Sequence, residues 1–291
     1  MTATSSTAGR APLKPSAQNQ FVERLAQLPW WLLLILLAGV FLLYKILTDT
    51  LYTAILGRLA QGIGITLYVT LIGYISAILI GLFAGLGRVS KNRVIFNLAT
   101  LYVQIIRGVP ILVQIIYVAF VIVPGVFALL NGLGTALRPM LGEQNFLLQI
   151  NTQGISSLTR VIIALAIAYG GFEAETFRAG IESISRGQME AARSLGMSYI
   201  QAMRYVILPQ AIRRILPPLG NDFISMLKDS SLVSILGVAD VTQQARLYAA
   251  ASFRYPETYN TLAFIYLSMT ILLSLGVKWL ESRWGENGRT G

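Results

Sequence analysis

Six long apolar runs constrain this chain more than any other feature: Trp30 to Leu47, Leu59 to Leu86, Val94 to Val123, Leu158 to about Phe177, Ile215 to Val238 and Tyr259 to Leu280. Each is close to or above the roughly 20 residues that carry a helix across a bilayer. None shows the apolar/polar alternation of a lipid-facing strand, and lipid offers a backbone group no partner outside its own segment, so the runs are helices. An all-α integral membrane protein is expected. Composition agrees, since 55% of the 291 residues are hydrophobic and 12% are charged, too few charges for a water-exposed surface. The fourth run is the least regular, because Gly170-Gly171, Glu173 and Glu175 interrupt it and mark its inner end as a candidate separate amphipathic turn.

Positive charges collect in short cytoplasmic loops. With the N-terminus inside, fifteen of the 23 lysines and arginines fall on one side, among them Arg88, Lys91, Arg93, Arg186, Arg193, Arg213 and Arg214. Both termini are therefore expected in the cytoplasm. Basic residues spread along one membrane side, without interleaved aromatics, do not form a nucleic-acid surface. Residues 1–29 and 285–291 read as cytoplasmic tails, the first disordered, being rich in Ser, Thr, Pro and Gln without apolar periodicity. A signal peptide is disfavoured, because the first apolar run starts late and lacks an A-x-A-like site. Pro124 to Ser157 reads as the longest outer loop, a docking surface or a plain insertion.

The chain has no cysteine and no histidine, which removes disulfides, thiol nucleophiles, imidazole bases and the usual zinc sites. No lysine follows a glycine, so there is no P-loop. The chain is expected to be no enzyme, to hold no metal or cofactor, and to draw on ATP only through a partner.

Two features concern packing and partners. In the second run Gly73, Ala77, Gly81 and Gly85 recur every four residues, a smooth stripe that lets helices approach closely. Between the fourth and fifth runs lies EAARSLGMSYIQAMRYVILP, residues 190–209, which reads like part of a soluble protein. Glu190 opens a helix pattern, Ala191-Ala192 give it a small surface, and Gly196 breaks it. A second short helix starts at Ser198 with Tyr199, Ala202, Met203 and Val206 on one side, and Pro209 is expected to end it. Two short helices bent at a glycine make a peg for another protein; the same pattern also suits an interfacial helix resting on headgroups.

The spacing of Glu190-Ala191-Ala192, Gly196, Val206 and Leu208-Pro209 resembles the EAA loop of binding-protein-dependent ABC importer permeases, with valine where isoleucine is usual. Arg107-Gly108-Val109-Pro110, the run Glu175-Thr176-Phe177-Arg178-Ala179-Gly180-Ile181, and Lys228-Asp229-Ser230-Ser231-Leu232 followed by Ile235, Gly237 and Val238 are similar to motifs of the polar amino acid permeases. The resemblance covers roughly residues 57 to 280. It implies a type I importer fold with a permease domain over 57–284. It also implies that the loop 182–209 forms a coupling helix seated in a separate ATPase, which binds the ATP and magnesium. Two permease subunits, identical or related, an external substrate-binding protein and a bacterial inner membrane come with it. The helix at 30–47 is an addition to the pattern, either packed peripherally or a targeting anchor.

An amino acid zwitterion inside a membrane needs a cation near its carboxylate and an acceptor near its ammonium, since unpaired ions there cost several kcal/mol each. Arg107, Lys228 and Asp229 are candidates, with Arg107 about 20 Å from the inner end of its span and Asp229 at a comparable depth. The alternative is that the three neutralise one another, or the carbonyls freed at Pro110. Glu175 is a further candidate, nearer the inner end and spaced to pair with Arg178 in a gate or plain salt bridge. Lys45 is placed to snorkel. The reading is the permease subunit of an ATP-driven amino acid importer. A secondary transporter and a permease-like scaffold without transport remain as other classes.

Overall fold

The computed structural model describes residues 30–142, 145–149 and 154–285, and no strand occurs among them. The tail expected over 1–29 lies outside the described residues, as do 286–291 and, within the expected outer loop, 143, 144 and 150–153. The chain divides into two compact units, Met1–Thr50 and Leu51–Gly291. The first contains α1 (Trp30–Thr48), apolar on all sides with Lys45 in its last turn. Its 19 residues make a rod about 28 Å long.

In the second unit α2 (Thr50–Ala60) runs into α3 (Ile63–Arg88) through Gly62. A Cβ at Gly62 would collide with the backbone of Asp240 and Val241, so this junction needs glycine. Val241 N–H donates to the Thr66 hydroxyl at 3.2 Å, closing the contact. Next, α4 (Arg93–Gly108) is capped by Asn92, whose side chain accepts from Val94 and Ile95 N–H. It ends where Pro110 forces Val109 into an extended conformation. The climb resumes as α5 (Ile111–Tyr117), a π turn at Val118–Ile122, and α6 (Val123–Ala136).

Helix α9 (Ser157–Glu182) is the axis of the bundle. Gly73 of α3 faces Leu165, Gly81 faces Glu173 and Ala174, and Gly85 faces Phe177, so α3 and α9 run side by side in the same direction. Against the same helix α4 places Tyr102 at Gly170 and Ile106 at Gly171, and Arg160 donates to the Ala119 carbonyl. The third expected run therefore does climb from one end of α9 to the other, but in two helices rather than one.

Gly170-Gly171 do not interrupt α9. A Cβ on Gly170 would crowd Ile80 and the Tyr102 hydroxyl, and one on Gly171 would crowd Ile106. The pair is a notch that admits two neighbours while the helix continues without a break.

After α9 come α10 (Arg186–Ser194), α11 (Tyr199–Ala202), a π turn at Met203–Ile207 and α12 (Leu208–Asp229). A 3-10 turn at Ser230–Leu236, α13 (Val241–Ser252) and α14 (Tyr255–Gly285) complete the unit. Four segments are long and apolar enough to cross a bilayer, namely Thr50–Arg88, Ile111–Ala136, Ser157–Glu182 and Tyr255–Arg283, with a shorter apolar helix at Leu33–Thr48. The fifth expected run, Ile215 to Val238, is split between the later part of α12 and the 3-10 turn after it, and α12 as a whole, with Arg213, Arg214, Asp222, Lys228 and Asp229, is more charged than those four.

The main core gathers Val69, Ala77, Ile115, Val118, Leu165 and Met226 between α3, α5, α9 and α12. A second joins α2 to α13 and α14 through Ile55, Leu59, Val241 and Ile265. The described part of the expected outer loop is largely helical: Pro124 lies within the continuous helical run Ile111–Ala136, where the π turn at Val118–Ile122 just before it accommodates the ring. Short helices α7 (Arg138–Leu141) and α8 (Phe146–Gln149) follow, and Asn145 bonds the carbonyls of Gly134 and Gly142.

Candidate functional site

At the end of the bundle that carries Arg88, Arg93 and Glu182, residues 183–207 form a bent pair of helices. Helix α10 begins at Arg186, four residues before Glu190, because Ser185 is extended and supplies the N-cap position. Its far end is a Schellman closure: Met197 N–H reaches the Ala192 carbonyl, Gly196 N–H reaches that of Arg193, and Gly196 adopts φ +82°. Nothing lies within 4 Å of a Cβ built there, so backbone sign rather than space demands glycine. A capping box follows, Ser198 accepting from Gln201 N–H while the Gln201 side chain accepts from Ser198 N–H.

Pro209 does not end the second helix. The π turn at Met203–Ile207 absorbs the proline and carries the helix straight into α12. The inner side of the peg is fixed by Ile184, Ile207, Ala211 and Ile215, with Met189, Met203 and Val206 packed on them. Ala192 and Ala202 are buried, Glu190, Ala191, Leu208 and Pro209 are exposed, and Leu195 and Ile200 stand 81% and 76% exposed. Large apolar side chains thus project beyond the end of the bundle.

One turn or more into the bundle, three arginines from three helices converge on one carboxylate. Glu175 of α9 is bonded by Arg88 of α3 and by Arg178 of its own helix, and Arg107 of α4 approaches it at 3.8 Å. Arg178 also pairs with Glu182. Side-chain exposure is 13% for Arg88, 26% for Glu175 and 49% for Arg107, so Arg107 is the most accessible and most loosely held cation of the three. The carbonyls freed at the Pro110 break are not neutralised by Arg107. Gln114, one turn on, donates to Ile106 O at 2.7 Å and Val109 O at 2.6 Å.

Asp229 sits at the end of α12 and accepts from the Tyr169 hydroxyl of α9 at 2.7 Å. Its neighbour Lys228 lines a different space, an open cleft of about 410 Å³ shared with Thr242, Tyr259 and Tyr266. Among the described residues no ion pair joins Arg107 to Asp229. Glu173, which faces the Gly81 notch, is fully buried, and neither carboxylate oxygen has a hydrogen-bond partner among the described residues. No group of residues suited to a metal ion occurs among the described residues.

Arg88, Gln114 and Tyr169 were not singled out from the sequence as site residues. Gln114 had a legible signal, a polar residue four positions after a proline inside an apolar run. Arg88 and Tyr169 had none, because their role depends on which helices pack together.

Residues 77–286 match the family model described as binding-protein-dependent transport system inner membrane component. The glutamine transport system permease protein of Escherichia coli (strain K12) is 34% identical over 225 residues, 77% of this chain and 92% of that one. A probable amino-acid permease protein of Bacillus subtilis (strain 168) is 37% identical over 217 residues, 75% of this chain and 87% of that one. Among solved structures, a chain from the crystal structure of an amino acid ABC transporter with histidines superposes with a TM-score of 0.64 at 38% identity, covering 81% of this chain and 97% of that one.

Proposed function

Given that the chain belongs to the family of binding-protein-dependent transport system inner membrane components, we propose that it is the multi-pass permease subunit of an ATP-driven amino acid importer. It forms the substrate path and catalyses no bond chemistry. The observation that carries the coupling role is the bent helix pair at residues 183–207, rigidly rooted between α9 and α12 yet tipped with exposed Leu195 and Ile200. A rigid peg with an apolar tip suits a groove in a second protein, here the ATP-hydrolysing subunit that binds ATP and magnesium. Glu190, Ala191, Ala192, Gly196, Leu208 and Pro209 are its coupling residues. A second permease chain, identical or related, and an external binding protein complete the assembly in a bacterial cytoplasmic membrane, with both termini inside.

For the cargo, Arg107 takes the carboxylate and Asp229 the ammonium. The Arg107 guanidinium approaches Glu175 and Asp229 bonds Tyr169, so the two charged groups meet α9 six positions apart, about 9 Å in helix rise. Cargo held by both draws the loosely held Arg107 off Glu175 toward Asp229. Glu175 holds Arg107 in place when no cargo is present, and Lys228 extends the charged region toward α14.

The test is co-purification in detergent with ATPase subunits encoded by the same genome, followed by reconstitution with the binding protein and an uptake panel of the standard protein amino acids. A stable complex that is lost in the Glu190→Lys, Gly196→Val double variant, and ATP-dependent uptake by the wild type, are expected. Uptake by the purified chain alone, driven by an ion gradient, would overturn the reading in favour of a secondary transporter.

A further inference from the structure

Gly220 of α12 touches Val277 of α14, with no room for a Cβ, and Leu227 farther along α12 gathers with Leu262 and Ile265, so these two helices are antiparallel. Beside their contact α3 closes the third side of an open cavity of about 330 Å³, lined in part by Leu71, Ile78, Leu216, Phe223, Leu280 and Glu281. One other lining side chain is polar, Tyr74, and its hydroxyl is spent on the Leu219 carbonyl. The cavity faces hydrocarbon. Leu71 belongs to an exposed apolar ridge of α3 with Leu67, Ile75 and Leu79, and Leu280 is exposed on α14. A water-soluble ligand would find almost no polar partner along these walls, whereas an acyl chain needs none.

The charges at the mouth identify the headgroup. Trp279 is exposed and carries the Arg283 guanidinium 4.6 Å over its ring, an interfacial anchor that sets this turn of α14 at the bilayer surface. Lys278 and Glu281 share that level, and neither has an ion pair among the described residues. They lie three positions apart, about 4.5 Å in rise. Lys278 is the deeper, and helix side chains lean toward the N-terminus, here deeper still. A phospholipid carries its phosphate next to the acyl chains and its amine beyond. Cation then carboxylate, read outward along α14, complements phosphate then ammonium.

We propose that the cavity holds an acyl chain of one phospholipid from the peg-side leaflet, with a primary-ammonium headgroup as in phosphatidylethanolamine, its phosphate on Lys278 and its ammonium on Glu281. Helix α12 continues without a break from the peg, so the chain wedged against it steadies the root of the peg. The site needs a bilayer and no cargo, and it stands whatever the chain transports.

The experiment reconstitutes the full-length chain in nanodiscs of equal phosphatidylethanolamine and phosphatidylcholine, extracts it in mild detergent, and counts the retained lipids by native mass spectrometry. The wild type should keep one lipid per chain, enriched about tenfold in phosphatidylethanolamine, because choline has no N–H to give Glu281 and one charge-assisted hydrogen bond is at stake. Glu281→Gln should return the retained lipid close to the bilayer ratio. Lys278→Gln should instead lower retention of both lipids alike, since both carry the phosphate. Leu216→Trp, which fills the cavity, should retain neither. The wild type should also melt higher in micelles containing phosphatidylethanolamine than in those containing phosphatidylcholine, and Glu281→Gln equally in both. Lipid at the bilayer ratio on the wild type, or identical retention in the wild type and both charge variants, would overturn the proposal. The chain has no cysteine, so Leu280→Cys supplies a single thiol. Its complete oxidation to a disulfide-linked dimer in the bilayer would put a second copy over the mouth, and would overturn the proposal as well.

Discussion

At Gly196 a single dihedral decides the shape of the peg. A β-branched residue at φ +82° carries a penalty on the order of 2 kcal/mol, and relief comes only by unwinding the Schellman closure that turns the chain. Gly196→Val should therefore leave the bundle folded, judged by an unchanged gel-filtration profile, while ATP hydrolysis proceeds without matching uptake. Gly196→Ala, which strains the same backbone less, should fall between. Glu175 is a different kind of residue, since Arg88 is the least exposed of its three arginine contacts. Glu175→Gln should lower stability by about 2 kcal/mol, the scale of a lost charge-assisted hydrogen bond, read as an earlier melting transition in detergent. If Glu175 instead adds nothing, Arg88, Arg107 and Arg178 are each satisfied elsewhere and the cluster is not a lock.

Helices as objects were mostly legible because apolar periodicity and length act locally, whereas their breaks were not. Pro110 looked like a place where charge is needed to satisfy freed carbonyls, yet the satisfying group is the neutral amide of Gln114, available only because α5 restarts one residue later. Gln114→Leu should leave those carbonyls unpaired in a buried setting and destabilise the chain by roughly 1–3 kcal/mol, seen in thermal denaturation, with Gln114→Asn failing to restore it for want of reach. Gly170-Gly171 read as an interruption because glycine weakens an isolated helix, but in the bundle the missing side chains admit Tyr102 and Ile106. Pro209 read as a stop because an α-helix has no room for it, and the π turn before it supplies that room. Only the glycine pair is decided by another element; at Pro110 and Pro209 the deciding feature is the geometry of the chain beside the proline, which residue identity alone does not fix. The motif spacings, by contrast, were readable from residue identity alone, and they carried the family.

On the scale of the whole chain, residues 51–291 hold both cores, the charge cluster and the peg, while the first unit holds α1. A chain beginning at residue 50, directed to the membrane by an appended cleavable signal sequence, should keep its melting temperature and its ATPase partner. A lower melting temperature or a lost partner would make the first helix a structural member rather than an anchor. Helices α3 and α4 each bring an arginine from their last turn to the same carboxylate, Glu175. Arg88 and Arg107 each occupy the last turn of their helix, where the peptide dipoles place their negative end. Three arginines against Glu175 and Glu182 leave one positive charge in excess, and two helix termini of about half a negative charge each offset it. The level is close to electroneutral once the backbone is counted. A passing charge meets little net field at that level, so the cluster itself is poorly suited to sort cargo by side-chain charge.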